Sequence, residues 1–224
     1  MSSTYLLECG CEEIPARFIS NFCADLQKQC DKLLTQHRIT FSSIETLATY
    51  RRITLIINDI ALQQSDLKQL IKGPPKAMSL DKDNAFTPAA IGFAKKNNID
   101  VSSLTFNTFN NKEHLSFQKH ELGQPTKDIL PLLIPTLLQS LPLPIAMKWG
   151  NAQYSFIRPI HWFVSLLDSN IIPFTCFGIQ SGKTSYGHRT LSKGKSYLGK
   201  KINIKSATTY ASDLITTGQV IVKP

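Results

Sequence analysis

The apolar positions of the chain follow two rhythms, one of three to four residues and one nearer two. Tyr5–Leu7 reads as a short strand. Pro15 suits the first turn of a helix, where its missing N–H leaves nothing unsatisfied. From there Phe18, Ile19, Phe22, Cys23, Leu26, Cys30, Leu33 and Leu34 recur at helical spacing, predicting an amphipathic helix to about Gln36. Two β-like runs follow, Ile44–Thr49 and Ile53–Ile60, around the basic pair Arg51-Arg52. Lys72-Gly73-Pro74-Pro75 is read as loop punctuation. Thr87-Pro88 offers an N-cap with Pro at the first helical position, opening a helix to about Asn97. Leu104–Phe109 and Leu115–Lys119 bracket Asn110-Asn111 as a hairpin. Thr126–Leu141 has helical apolar spacing, but Pro131 and Pro135 predict a kink or a break into short turns. Phe156–Leu167 and Ile171–Ile179 read as strands, and Ala207–Thr217 as a short helix ending before Gly218.

Strands and helices mix without a strict βαβ alternation, which predicts an α+β fold, a mixed sheet with packed helices. The expected division is a body built from residues 1–60 and 146–224, with 61–145 as an inserted or flanking α+β subdomain. With 224 residues, 42% of them hydrophobic, the chain can bury a sizeable core. Ile129–Met147 is the longest apolar stretch without a formal charge, but it carries four prolines, too broken for a membrane span. The N-terminus has neither a basic n-region nor a long apolar h-region. Five cysteines at positions 9, 11, 23, 30 and 176 exclude a complete disulfide framework and point to reduced thiols and a cytoplasmic setting.

Charge changes the picture more than composition does. Residues 1–75 are neutral in sum, 76–150 carry +2, and 151–224 carry +7 of the net +9. Between Lys183 and Lys205 stand seven basic residues (Lys183, Arg189, Lys193, Lys195, Lys200, Lys201, Lys205) and no acidic one. Such a field attracts polyanions, although a lysine-rich surface also serves solubility alone.

Several motifs invite chemistry and give it little support. Gly178 to Thr184 (G-I-Q-S-G-K-T) has three residues between its glycines where a phosphate-cradling loop needs four, and no helix is evident after it. Cys9-x-Cys11 lacks the paired knuckles of a zinc site, while Cys23 and Cys30 fall on the apolar face of the first helix. Glu12-Glu13 beside Pro15 fits the dipole of a helix N-terminus at least as well as acid–base catalysis. His161, inside an apolar run, reads as a core or edge histidine. His188-Arg189, in a polar loop, is the better candidate for an anion contact. No spacing forces a catalytic triad, and no catalytic or metal-binding residue is assigned.

Read in order, the punctuated segments resemble one family, the β subunit of the bacterial heterotetrameric glycyl-tRNA synthetase. Glu8-Cys9-Gly10-Cys11-Glu12-Glu13-Ile14-Pro15 resembles its E-x-G-T-E-E-[LI]-P opening, and Thr49-Tyr50-Arg51-Arg52-Ile53 its T-P-R-R-L element. Lys72-Gly73-Pro74 matches a K-G-P loop, and Phe86 through Gly92-Phe93-Ala94 an alanine-rich G-F-A helix. Met147-Lys148-Trp149-Gly150 is similar to M-R-W-G, and Phe156–Trp162 to F-x-R-P-[IV]-H-W. Gly178 to Arg189 is similar to G-x-x-S…G-H-R. Cys11 and Tyr50 depart from the family's Thr and Pro.

The resemblance implies a fold similar to the B3/B4 region of the phenylalanyl-tRNA synthetase β subunit. It further implies a role in ATP-dependent attachment of glycine to tRNA, with the aminoacylation site and its ATP in a separate α subunit. The expected partners are that α subunit and tRNA, in a heterotetramer with no membrane association. The chain ends roughly a third of the way through a typical member, so the HD-type and anticodon-binding regions are expected to be absent from it. The expected tRNA-binding residues are Arg51, Arg52, Lys72, Lys148, Arg158, His188 and Arg189, since arginine grips phosphate bidentately and lysine acts as a point charge. For Arg51, Arg52 and Arg158 internal ion pairing with Glu8, Glu12 or Glu13 competes with that role. Two further readings stand beside it. One is an interaction scaffold that docks the α subunit without significant tRNA binding of its own. The other is hydrolytic editing, by analogy with the phenylalanyl relative, for which no residues can be assigned.

Overall fold

A computed structural model describes residues 2–150, 153–194 and 196–223. Along the chain run β1 (Ser2–Cys11), α1 (Ala16–Gln36), β2 (Ser43–Thr49), β3 (Arg52–Ala61), β4 (Leu67–Pro75), α2 (Lys76–Ser79) and α3 (Pro88–Lys96). There follow β5 (Thr105–Phe109), β6 (Lys112–Glu121), α4 (Thr126–Ser140), β7 (Met147–Trp149), β8 (Tyr154–Phe156) and β9 (Ile160–Leu167). The last elements are β10 (Asn170–Ile171), β11 (Thr175–Cys176), β12 (Ile179–Gly182), β13 (Thr184–Tyr186), β14 (Lys201–Asn203) and α5 (Tyr210–Gly218). The fold is α+β.

The residues form two compact units, Met1–Ser65 with Gln124–Pro224, and Asp66–Gly123. The first is built on a sheet of order β11-β12-β9-β1-β3-β2, with β10 also on β9. All its pairings are antiparallel except β12 on β9, so the sheet is mixed. β1 lies at its centre, and alternation sends its side chains to opposite faces. Tyr5, Leu7, Cys9 and Cys11 enter one core, which α1 closes with Phe22, Leu26, Cys30 and Leu34 and α4 with Ile129 to Leu138. Leu6 enters the other, with Trp162, Val164, Leu166, Ile202, Tyr210 and Leu214. Gly10 also faces that side, where Trp162 fills the space so closely that a Cβ would lie 1.8 Å from its ring. A strand buried on both faces shows no polar alternation, which is why only Tyr5–Leu7 is legible as strand from the sequence.

The expected second boundary near residue 145 lies instead at Gly123/Gln124, because the buried stripe of α4 belongs to the first core. α4 runs unbroken through Pro131 and Pro135. The prolines stand four apart on a half-buried flank, and six buried apolar side chains on the other side hold the helix together. The expected Ile171–Ile179 strand is interrupted instead, by Pro173 and by Gly178 at φ +75°. In the second unit β4, β6 and β5 form a three-stranded sheet over a small core of Ala90, Ala94, Leu104, Leu115 and Phe117. Lys72–Pro75, expected as a loop, is the end of edge strand β4, a position where proline is tolerated. Asn110 and Asn111, both at positive φ, turn the β5–β6 hairpin as read.

Candidate nucleic-acid interface

In the first unit the opening of the chain, the β2–β3 turn, the start of β9 and the stretch after β13 converge on the end of the central sheet. β1 stops at Cys11 and α1 begins only at Ala16, so Glu12 and Glu13 lie between elements and no acidic residue occupies the first turn of α1. They are therefore not dipole partners. Glu12 Oε1 meets His161 Nε2 at 2.7 Å, and Glu12 Oε2 accepts from Arg189 at 3.0 Å. Glu13 Oε1 lies 3.6 Å from the other terminal nitrogen of Arg189, and the Glu13 carbonyl accepts from Arg158 Nε at 2.9 Å. Burial opposes the ionisation of Glu12. The His161 hydrogen bond and the charges of His161, Arg189 and Arg51 outweigh it and hold the carboxyl below its usual range.

Arg52 is a correction to the expected contacts. It is 3% exposed, 3.6 Å from the fully buried Glu8, and it donates to the Tyr186 carbonyl at 2.6 Å. It braces the fold from inside and is not open to a phosphate. The same Glu8 carboxylate accepts from Trp162, Ser185 and Tyr210, so four segments meet on one buried acid. For Arg52 the internal pair is what the structure contains.

Arg51 is half-buried. One terminal nitrogen donates to the Leu198 carbonyl at 3.3 Å, while Nε and the other terminal nitrogen are buried without a partner. Burial, then repulsion by Arg189, lowers its pKa. Arg158, also half-buried, is held by Glu13 and touches Met147 Sδ. His188 is exposed, and its Nδ1 faces the backbone N–H groups of Thr190 and Leu191 at 3.3 and 3.2 Å. Those groups can only donate, so Nδ1 accepts and Nε2 carries the proton. His188 thus offers Nε2 as a donor. Lys148 is exposed on β7, and Lys72 is exposed in the second unit with its ammonium over the Phe109 ring.

The strongest unbalanced charge lies just beyond this knot. Lys183, Lys193, Lys200 and Lys201 are exposed, and none has an ion pair among the described residues. Lys205 is 4.0 Å from Asp213, and Lys195 lies outside the described residues. A hollow of about 700 Å³ is bordered by Lys193, Ser196, Lys200, Lys201 and Thr216. A cleft of about 1110 Å³ has Tyr50, Arg51, His188, Arg189 and Ile221 along its walls. Gly178–Thr184 forms β12 and the start of β13, with no helix after it, so it is not a nucleotide-cradling loop.

Comparison with known proteins gives the family of the chain. The family model described as glycyl-tRNA synthetase beta subunit matches residues 5–224. The chain belongs to that family. It is 35% identical over 215 residues to the glycine–tRNA ligase beta subunit of Listeria monocytogenes, covering 96% of this chain and 30% of the relative. The Bacillus subtilis protein of the same name is 37% identical over 209 residues, 93% of this chain and 30% of the relative. That of Limosilactobacillus fermentum is 36% identical over 214 residues. The chain thus spans about 30% of the length of these relatives, in their N-terminal part. Within the family fold, Glu12, His161 and Glu8 are the members of the site that the expected list omits. Their signal is the Glu8–Glu13 block itself, whose acids find partners some 150 to 200 residues away.

Proposed function

We propose that this chain is the part of a glycine–tRNA ligase beta subunit that contributes tRNA binding and subunit assembly to ATP-dependent glycyl-tRNA formation in the cytoplasm. The aminoacylation centre and its ATP belong to the α subunit of a heterotetramer. The observation that carries the reading is the set of exposed, unpaired lysines at 183, 193, 200 and 201, beside Arg189 and the Nε2–H of His188. Lysine and arginine at this density displace condensed counterions from a polyphosphate backbone, which makes binding strongly salt-dependent. Lys148, and Lys72 in its own unit, are accessible enough to add contacts, and Arg51 and Arg158 serve chiefly through the segments they hold.

The test is a filter-binding titration of glycine tRNA at several salt concentrations. Replacing both Lys200 and Lys201 by Ala is expected to weaken binding and to flatten the slope of log K on log salt by about two. An unchanged slope removes this face from the reading. A docking role has its own support in exposed Leu62 and Ile171 around a hollow of about 1020 Å³ on the first unit. Co-purification with an α subunit without any tRNA shift would favour docking as the main role.

A further inference from the structure

The fourteen residues 187–200 between β13 and β14 carry much of the basic surface, and the described ones among them form no helix or strand. Their own bonds are local, Ser192 Oγ to the His188 carbonyl and the Gly199 N–H to the Ser196 carbonyl. One buried apolar side chain, Leu198, roots the far end. The rest is held from outside, first by the His188 N–H, which donates to the Gly218 carbonyl at 2.7 Å. Glu12 binds Arg189 at 3.0 Å with Glu13 more distant at 3.6 Å, Arg51 donates to the Leu198 carbonyl, and the His161 ring stands edge-on to Tyr197 with centroids 5.9 Å apart. Tyr197 is otherwise 69% exposed, and His161 is fixed by Glu12. The ties to Arg189 and to Tyr197 both involve the Glu12 carboxylate.

An acid placed within a cationic surface weakens attraction for a polyanion by Coulomb's law. Glu12 opposes the charge of the face it borders, unless its role is geometric. We propose that Glu12 is a positioning residue. It anchors residues 187–200, through Arg189 directly and Tyr197 by way of His161, so that the basic side chains meet an RNA backbone together. This rests on the tRNA reading given above.

The two roles of Glu12 differ in sign, which makes them separable. Glu12→Gln keeps the size of the side chain and raises net charge by one. If Glu12 acts only as a charge, the variant binds tRNA more tightly with an equal or steeper salt slope. If it positions the segment, binding weakens by about three- to tenfold and the slope becomes shallower by about one, because fewer phosphates are neutralised at once. Glu12→Asp, which retains the charge on a shorter arm, is expected to fall between wild type and Glu12→Gln in both quantities. The measurement uses the 224-residue chain, with amide exchange of residues 190–200 followed in parallel without RNA. Exchange there is expected to accelerate in Glu12→Gln while that of β1 and β9 is unchanged. Tighter binding, or unaltered exchange, overturns the proposal. Faster exchange in a protein whose wild type shows no salt-dependent tRNA binding keeps the anchor and overturns the RNA role.

Discussion

Glu8 lies under the whole polar knot, with no exposure of its own and with Arg52, Trp162, Ser185 and Tyr210 as partners. Removing one member of a buried pair leaves the other charged and unsolvated, at a cost of about 3–5 kcal/mol. Glu8→Gln is expected to lose stability of that order, read from the urea midpoint. Glu12 responds to acid instead. Its carboxyl is held below the usual range, so the ties it makes are complete above the ordinary carboxyl pKa and are lost as pH falls through the lowered one. Exchange at residues 190–200, corrected for its intrinsic pH dependence, is expected to stay slow through the ordinary carboxyl range and to rise only below it. The cysteines behave oppositely. Burial pushes the Cys11 and Cys30 thiols up to about 12 and Cys176 up to about 11, and raises Cys9 as well. Native protein at pH 8 is expected to react slowly with iodoacetamide at these four, and unfolding in urea to release them, as mass spectrometry would show. At this scale the sequence marks Arg51, Arg52 and Arg189 as important but does not assign their roles. Arg52 is buried and Arg189 exposed, a distinction that only the fold supplies.

Among elements, α1 and the β5–β6 hairpin were legible because each shows its own period or turn chemistry within a few residues. β1 was legible only in part, since burial on both faces erases alternation, and α4 stays one helix instead of breaking into short turns because its packing outweighs its prolines. The prolines still carry a cost, as each removes a backbone donor inside a helix. Pro131→Ala is expected to stabilise the chain, by no more than about 3 kcal/mol, because part of the gain is offset by a more flexible unfolded state. A higher melting temperature checks this, and a lower one would mean that the pyrrolidine ring packs better than the half-buried position suggests.

At the scale of the molecule, the discontinuous arrangement was visible in outline and its second boundary was not, since apolar spacing does not say which core a helix joins. The departure and return of the chain are adjacent. Gln63 bridges to Pro125, and Gln64 and Gln124 exchange two hydrogen bonds. Replacing residues 66–123 by a short Gly/Ser linker is therefore expected to leave the first unit cooperatively folded, with its own two cores, as far-UV circular dichroism in urea would report. The clustering of charge in the last third was plain from composition, and what composition could not say was that an acid from the first thirteen residues ties it down.

The place of β1 has a further consequence, for how the molecule is made. β3 reaches it early, but β9, its other neighbour, is encoded about a hundred residues later. At ribosomal speeds of about 5–20 residues per second, β1 waits roughly 5–20 s with one side unzipped. During that interval the nascent chain presents a row of unpaired amides beside Leu6 and Leu7. Birth order, more than final stability, sets when this protein is most exposed to wrong company.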